Sequence, residues 1–383
     1  MPVFPWDSLE PAKALASKHP DGIVDLSIGT PVDPVPQVVR DALASASDSP
    51  GYPLTKGTNE LRTAAAAWLA RRHNVEVSPD AILPSIGSKE LIAWLPTLLG
   101  CGPGDAVCFP ELAYPTYDIG ARIAGAVSVP TDEPEKILQG ENIAGRVASD
   151  ANVSEVRLAW VNSPSNPTGR ITPPERLAEL AAWAKQSGVV LASDECYIDL
   201  AYDEKPASIL HPQVSEASHD GLLAVFSLSK RSNLAGYRAG FVTGDPNLVA
   251  ELLEARKHAG MIVPAPVQAA MTAALSDDSH AQVQHARYAR RRDLLRPALE
   301  RAGWGITHSQ AGLYLWASHP DHSECWESVQ ALAELGILVS PGAFYGTAGR
   351  CHIRVALTAT DERISAATTR LAQLGNKPRT VFS

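Results

Sequence analysis

The sequence predicts an α/β protein in which a large, mostly parallel sheet is covered by helices and a smaller α+β domain follows. Three observations lead there. Strand and helix candidates alternate from about Ser78 to Gly244, the pattern of parallel strands joined by helical crossovers. Strand candidates in that region, such as Val189–Ala192, are continuous apolar runs, as strands buried on both faces require. Past a basic helix candidate at Gln282–Arg301 the pattern changes: short strand candidates at Gly312–Ala317, Ile337–Val339 and Cys351–Leu357 surround Glu324–Leu335. The 383 residues, 45% hydrophobic and 20% charged, suffice for a large core and two domains.

In chain order, the strand candidate Arg157–Val161 runs into NSPSNPTG, Asn162–Gly169. Two prolines, two asparagines and a glycine mark a rigid turn, which aims side chains, and Asn166 before Pro167 is a candidate cis peptide. TPPE at Thr172–Glu175 reads as a capping box opening a helix that Gly188 ends. The run Val189–Ala192 ends in Asp194 and Glu195, with Tyr197 close behind. A carboxylate at the C-terminal end of a parallel strand faces the crevice where open α/β sheets bind ligands, although an Asp after a strand also commonly caps a turn. Leu222–Phe226 leads into Ser227, Ser229 and Lys230, and Arg238 follows.

A lysine amine at the mouth of a sheet can condense with an aldehyde if neighbours hold the aldehyde's anionic tail. Ser227, Ser229 and Arg238 suit a phosphate monoester, and the aldehyde implied is pyridoxal 5'-phosphate. Asp194 would pair with its pyridine nitrogen, while Asn166 and Tyr197 would share its phenolic oxygen. The plainer alternative makes Lys230 a solvated loop lysine and Arg238 a surface partner for an acid.

The ordered set NPTG, SDECY, SLSK, Arg238 and Arg354 in CHIRVAL resembles the fold-type I pyridoxal-phosphate enzymes, in particular the class I and II aminotransferases, over nearly the whole chain. The resemblance implies catalytic roles for Lys230, Asp194 and Tyr197. It places Gly87, Ser88 and Lys89 around the phosphate at a helix N-terminus, where free amides and the helix dipole favour an anion. It stacks Tyr114 on the pyridine ring, with Tyr117 a weaker match, and sets Gly29 beside the substrate carboxylate. Arg354 grips the α-carboxylate in this reading; an arginine on a half-buried strand also often pairs with a nearby acid. Tyr52 would reach the phosphate of a second subunit, so a homodimer with shared sites is implied. The resemblance also packs an N-terminal segment, 1–40, with a small C-terminal domain, 281–383, around a large cofactor-binding domain, 41–280.

The blocks GYPLTKGTNELR, IGSKELIAWLP, FPELAYPTY and SLSKRSN are similar to the succinyl-diaminopimelate aminotransferase branch, whose members use glutamate as amino donor in bacterial lysine biosynthesis. Its substrate carries carboxylates at both ends, which makes Lys89, Arg231 and Lys257 candidate cations beyond Arg354. The distal arginine of aspartate aminotransferases has no counterpart that can be placed. Aspartate, aromatic, branched-chain and LL-diaminopimelate aminotransferases and carbon-sulfur lyases share the same constellation, and a ligand-sensing domain is the alternative outside enzymes.

A net charge of −9 argues against nonspecific nucleic-acid binding. Five cysteines show no CxxC pair and no metal spacing, as in reduced thiols of a cytoplasmic protein; Cys196 adjoins the expected site. No basic segment followed by an apolar stretch opens the chain and no run is long enough to span a bilayer, so a soluble protein is expected.

Overall fold

The computed structural model describes residues 5–137, 153 and 155–375, so the first four residues of the N-terminal segment and the last eight of the C-terminal one lie outside the described residues. A two-residue strand β1 (Val24–Asp25) comes first. The apolar runs then form β2 (Ile82–Ile86), β3 (Asp105–Phe109), β4 (Val127–Pro130), β5 (Glu155–Asn162), β6 (Val190–Asp194), β7 (Leu222–Ser227) and β8 (Ala239–Gly244). These seven make one sheet in the order β2-β8-β7-β6-β5-β3-β4. Pairs among β3 to β7 are parallel, and β8 alone is antiparallel to both its neighbours. The short stretch 228–238 explains the reversal, since it has no room for the helical crossover that a parallel return needs.

Apolar side chains cover both faces of the sheet. Trp68, Leu69, Leu177, Phe226 and Phe241 belong to one core, and Leu91, Leu95, Tyr117, Trp160, Val225 and Leu252 to the other. Each such fully buried Leu or Phe contributes about 2 kcal/mol, which fixes the register of strands whose C-terminal ends carry the polar residues. That register sets Asn162 beside Asp194 and Asp194 beside Val225.

The remaining strands are β9 (Gly305–Thr307), β10 (Tyr314–Ser318), β11 (Ile337–Leu338), β12 (Ser340–Pro341) and β13 (His352–Ala356). Four of them form an antiparallel sheet, β12-β13-β10-β9, and β11 pairs in parallel with β1. A third core joins Leu9, Ala16 and Leu26 to Leu295, Leu315, Leu332 and Ile364, so residues near the start of the chain pack with residues near its end.

The strands read from the sequence, such as Arg157–Val161, Leu222–Phe226 and Cys351–Leu357, fall within two residues of β5, β7 and β13, and one start signal fails. The helix Pro174–Ser187 begins after Pro173 with no side-chain cap. Pro173 is extended and sets Thr172 outside the helix, where its N–H donates to Ser163 Oγ at 3.0 Å. Gly188 ends this helix in the left-handed conformation, as expected. No helix among the described residues is long and apolar enough to cross a membrane.

Candidate active site

Asp194 closes β6 and is buried. Its Oδ1 accepts the Cys196 N–H at 3.1 Å, which is the turn-capping role, and its Oδ2 accepts the Tyr117 hydroxyl at 2.8 Å. Burial pushes its carboxyl above the ordinary range, more than those hydrogen bonds pull it down. A cation brought to this carboxylate would relieve that cost. Asn162 at the end of β5 ties the floor together, donating to the Asp194 carbonyl at 2.9 Å and accepting the Asn166 N–H at 2.8 Å. The Ser163–Pro164 and Asn166–Pro167 peptides are both cis.

Lys230 lies on the short helix Leu228–Arg231, which starts with Ser227 Oγ accepting the Ser229 N–H at 3.2 Å. The Lys230 ammonium donates to the Gly29 carbonyl. Burial holds its pKa below the ordinary lysine range, with Arg354 and Arg238 acting in the same direction and Tyr314 and Cys196 against it. The plain loop lysine considered from the sequence is therefore not what folds here.

Arg354 sits on β13 opposite Trp316 of β10 and is only 3% exposed. Its Nη1 donates to Asn166 Oδ1 at 3.0 Å and its Nη2 to the Ser27 carbonyl at 2.7 Å, while Nε has no partner. The groups acting on its charge are burial and four tyrosines, and none of its bonds goes to a carboxylate. Among the described residues the acid that would make it a structural arginine is missing. A buried guanidinium without a counter-charge is costly, and a ligand carboxylate is the group that fits it.

Helix Gly87–Leu98 starts at the end of β2. Pairing of β8 with both β2 and β7 sets Ile86 opposite Ala239 and Ser227 opposite Gly240. Gly87 has φ +71°, and a Cβ there would strike the Arg238 guanidinium; a Cβ on Gly240 would come 3.0 Å from the Ser88 nitrogen. Gly87 thus lies against Arg238, and Gly240 brings the Ser88 amide close to the strand end at Ser227; a helix-start amide, a guanidinium and a hydroxyl are donors that fit a phosphate monoester. Beneath it, Glu90 Oε2 accepts the Ile86 N–H at 3.2 Å, and Arg256, fully buried, clamps Glu90 at 2.8 and 3.2 Å. Arg256→Met should weaken pyridoxal-phosphate binding at least about 10-fold, because it leaves an unpaired carboxylate beneath the anion site; a dissociation constant from cofactor absorbance checks this.

Tyr114 stands edge-on to Tyr117 with ring centroids 6.2 Å apart, and the Lys89 ammonium lies 6.0 Å from the Tyr114 ring. Tyr117 is therefore the buried prop of Asp194, and Tyr114 is the half-buried ring above it. Tyr52 is fully exposed.

Two of the three cations considered for a distal carboxylate are not in the site. Arg231 is held by Asp199 at 2.7 Å and lies over Trp68, because successive helix residues point about 100° apart and Lys230 takes the site side. Lys257 pairs with Glu254 at 2.6 Å along the exposed side of its helix. Cys196 is half-buried, and burial beside Asp194 pushes its thiol well above the ordinary range, which disfavours the thiolate. Sequence reasoning missed Ser27, Tyr314 and Tyr345. The two tyrosines pack on Arg354, with ring centroids 3.9 and 4.9 Å from its guanidinium carbon.

The family model described as aminotransferase class I and II matches residues 21–371. The chain is 57% identical to 4-dedimethylamino-4-oxo-anhydrotetracycline transaminase OxyQ of Streptomyces rimosus, covering 97% of this chain and 99% of that protein. It is 56% identical to a probable aminotransferase of Mycobacterium tuberculosis, covering 97% of this chain and 85% of that one. Among solved structures, a probable N-succinyldiaminopimelate aminotransferase from Thermus thermophilus superposes with a TM-score of 0.83 at 28% identity, covering 97% of this chain and all of that one. With this agreement along nearly all of its length, the chain belongs to the class I and II aminotransferases and is a pyridoxal-phosphate-dependent transaminase of fold type I.

Proposed function

We propose that the chain transfers an amino group between glutamate and N-succinyl-2-amino-6-oxopimelate in lysine (diaminopimelate) biosynthesis, as a cytoplasmic homodimer. The observation that carries the amino-acid part of this reading is Arg354, buried near Lys230 with no acid paired to it among the described residues. Its guanidinium fork receives the α-carboxylate, and Gly29, whose carbonyl already accepts from Lys230, flanks the same place.

When bound, pyridoxal phosphate supplies an electron-accepting ring that acidifies the substrate's α-hydrogen. Arg238, Ser227, Ser229 and the amides of Gly87, Ser88 and Lys89 would hold its phosphate; Tyr114 would cover the ring, Asp194 face its nitrogen, and Asn166 and Tyr197 its phenolic oxygen. Asn166 has committed its carbonyl oxygen to Arg354, so its NH2 is the end left for that oxygen. Burial lowers the pKa of Lys230, which eases loss of its proton and suits its amine to take the α-proton and return it. Tyr52 would complete the phosphate site of a second copy. The same reading divides the chain into 1–40 with 281–383 around 41–280, supported by the core that Leu9 and Leu26 share with Leu315 and Ile364.

Support for a long substrate comes from the rim. Ile28 and Val32, on either side of Gly29, are 52% and 50% exposed, and Lys89 is exposed near Tyr114. An aliphatic stem over the apolar pair with a terminal carboxylate near Lys89 suits the succinylated compound better than aspartate. A second reading, amination of a bulky ring ketone, is favoured by the 57% identity to the anhydrotetracycline transaminase. Steady-state assays with 2-oxoglutarate decide: the expected kcat/KM for N-succinyl-LL-diaminopimelate exceeds that for LL-diaminopimelate, aspartate, phenylalanine and a branched-chain amino acid by at least about 100-fold. Preference for one of the latter, faster amination of 4-dedimethylamino-4-oxo-anhydrotetracycline, or pyruvate release from cystathionine would discard the lysine-pathway substrate.

A further inference from the structure

Tyr314 on β10 occupies the centre of the site, and none of the roles above uses it. Its hydroxyl lies 3.2 Å from the Tyr197 hydroxyl, and the two rings meet nearly edge to face with centroids 5.8 Å apart. Its ring face carries the Arg354 guanidinium at 3.9 Å. Its hydroxyl also fills the space that a Cβ on Gly29 would need, beside the carbonyl that accepts from Lys230. One side chain therefore adjoins three of the groups the reaction depends on.

A phenylalanine would pack this volume equally well, so the hydroxyl asks for its own explanation. Buried phenols take a hydrogen-bond partner, and here the partner is another phenol. Either oxygen can donate in such a pair. Burial pushes both hydroxyls up. Arg354, Lys230 and the hydrogen bond with Tyr197 outweigh this at Tyr314 and bring it below the ordinary phenol range, whereas Tyr197 stays well above it. Once the Tyr197 O–H is given to a ligand oxygen, the bond between the two phenols has only the Tyr314 proton left to use, and a phenol that accepts in this way donates onward more strongly.

We propose that Tyr314 is a positioning residue for transamination: its ring holds the plane of the Arg354 guanidinium, and its hydroxyl donates to Tyr197 and so leaves the Tyr197 O–H for the ligand. The proposal rests on the family's transamination and on no choice of substrate. Failure of the lysine-pathway assignment leaves it standing.

The test uses the cofactor-loaded Tyr314→Phe and Tyr314→Leu variants with the amino acid that the unaltered protein converts fastest. Tyr314→Phe keeps the stack on Arg354, so KM should stay within about 2-fold while kcat falls roughly 10-fold, the scale of one lost hydrogen bond. The pH midpoint of the visible absorbance should rise by about half a unit or more, because a weaker Tyr197 donor stabilises negative charge on the ligand oxygen less and nearby protons are held to higher pH. The other groups facing Tyr314, namely Arg354, Lys230, Cys196, Tyr114, Tyr288 and Tyr345, are unchanged in this variant. Tyr314→Leu removes the stack as well and should raise KM at least about 10-fold for every amino acid accepted. An unshifted midpoint with unchanged kcat in the Phe variant, or an unchanged KM in a folded Leu variant, overturns the proposal. If the Leu variant does not fold, the midpoint of the Phe variant decides alone.

Discussion

Lys230→Ala should lower transamination at least about 10⁴-fold, the upper range of what one general base contributes, while the protein stays folded and still binds pyridoxal phosphate. The size of the effect follows from position. Lys230 is the lysine whose ammonium reaches the Gly29 carbonyl, and Gly29 lies against Tyr314 beneath Arg354. In the proposed site, phosphate anchoring would fall to Arg238, Ser227, Ser229 and the start of helix Gly87–Leu98, all outside this substitution. Affinity for the cofactor should therefore survive better than turnover. The check is paired: absorbance titration for binding, and single-turnover amino transfer for rate. Turnover above about one hundredth of the original would remove Lys230 from its role.

Arg354→Ala should cost about 10³-fold in kcat/KM for every amino acid accepted, corresponding to about 4 kcal/mol for two charge-assisted hydrogen bonds. Arg354→Lys keeps the charge and loses the planar fork and the stack on Tyr314, so a loss of roughly 10- to 100-fold is expected there. The wild-type contacts explain the ordering. Asn166 and Ser27 hold one guanidinium nitrogen each, Tyr314 and Tyr345 hold its face, and a lysine ammonium could use at most part of that arrangement. Equal kinetics for Arg354→Lys and the unaltered protein would show that the α-carboxylate is held elsewhere.

Much of this site is legible in the sequence because its residues follow apolar runs that can only be buried strands. Asn166, Asp194 and Lys230 each come just after such a run, and parallel pairing brings those strand ends to one edge. Other features are not legible for reasons that are equally physical. Tyr314 belongs to an apolar strand, where an aromatic residue reads as core, and its hydroxyl acquires meaning only from Tyr197, more than a hundred positions away. That no acid among the described residues pairs with Arg354 is a three-dimensional fact with no local signature. Arg231 and Lys230 are indistinguishable as neighbouring basic residues until a helical turn sends one to Asp199 and the other to Gly29. Thr172 carries the letters of a cap, and the backbone at Pro173 sets it outside the helix.

The most direct measurement is the absorbance of the pyridoxal-phosphate-loaded protein in single-turnover mixing with N-succinyl-LL-diaminopimelate, LL-diaminopimelate, glutamate, aspartate, phenylalanine, a branched-chain amino acid and cystathionine, each alone. Rapid conversion to the aminated cofactor by the succinylated compound and by glutamate, with the others slow, is the predicted result. Absence of conversion with every amino acid would contradict the transaminase account itself, and rapid conversion by a different one alone would contradict the proposed substrate.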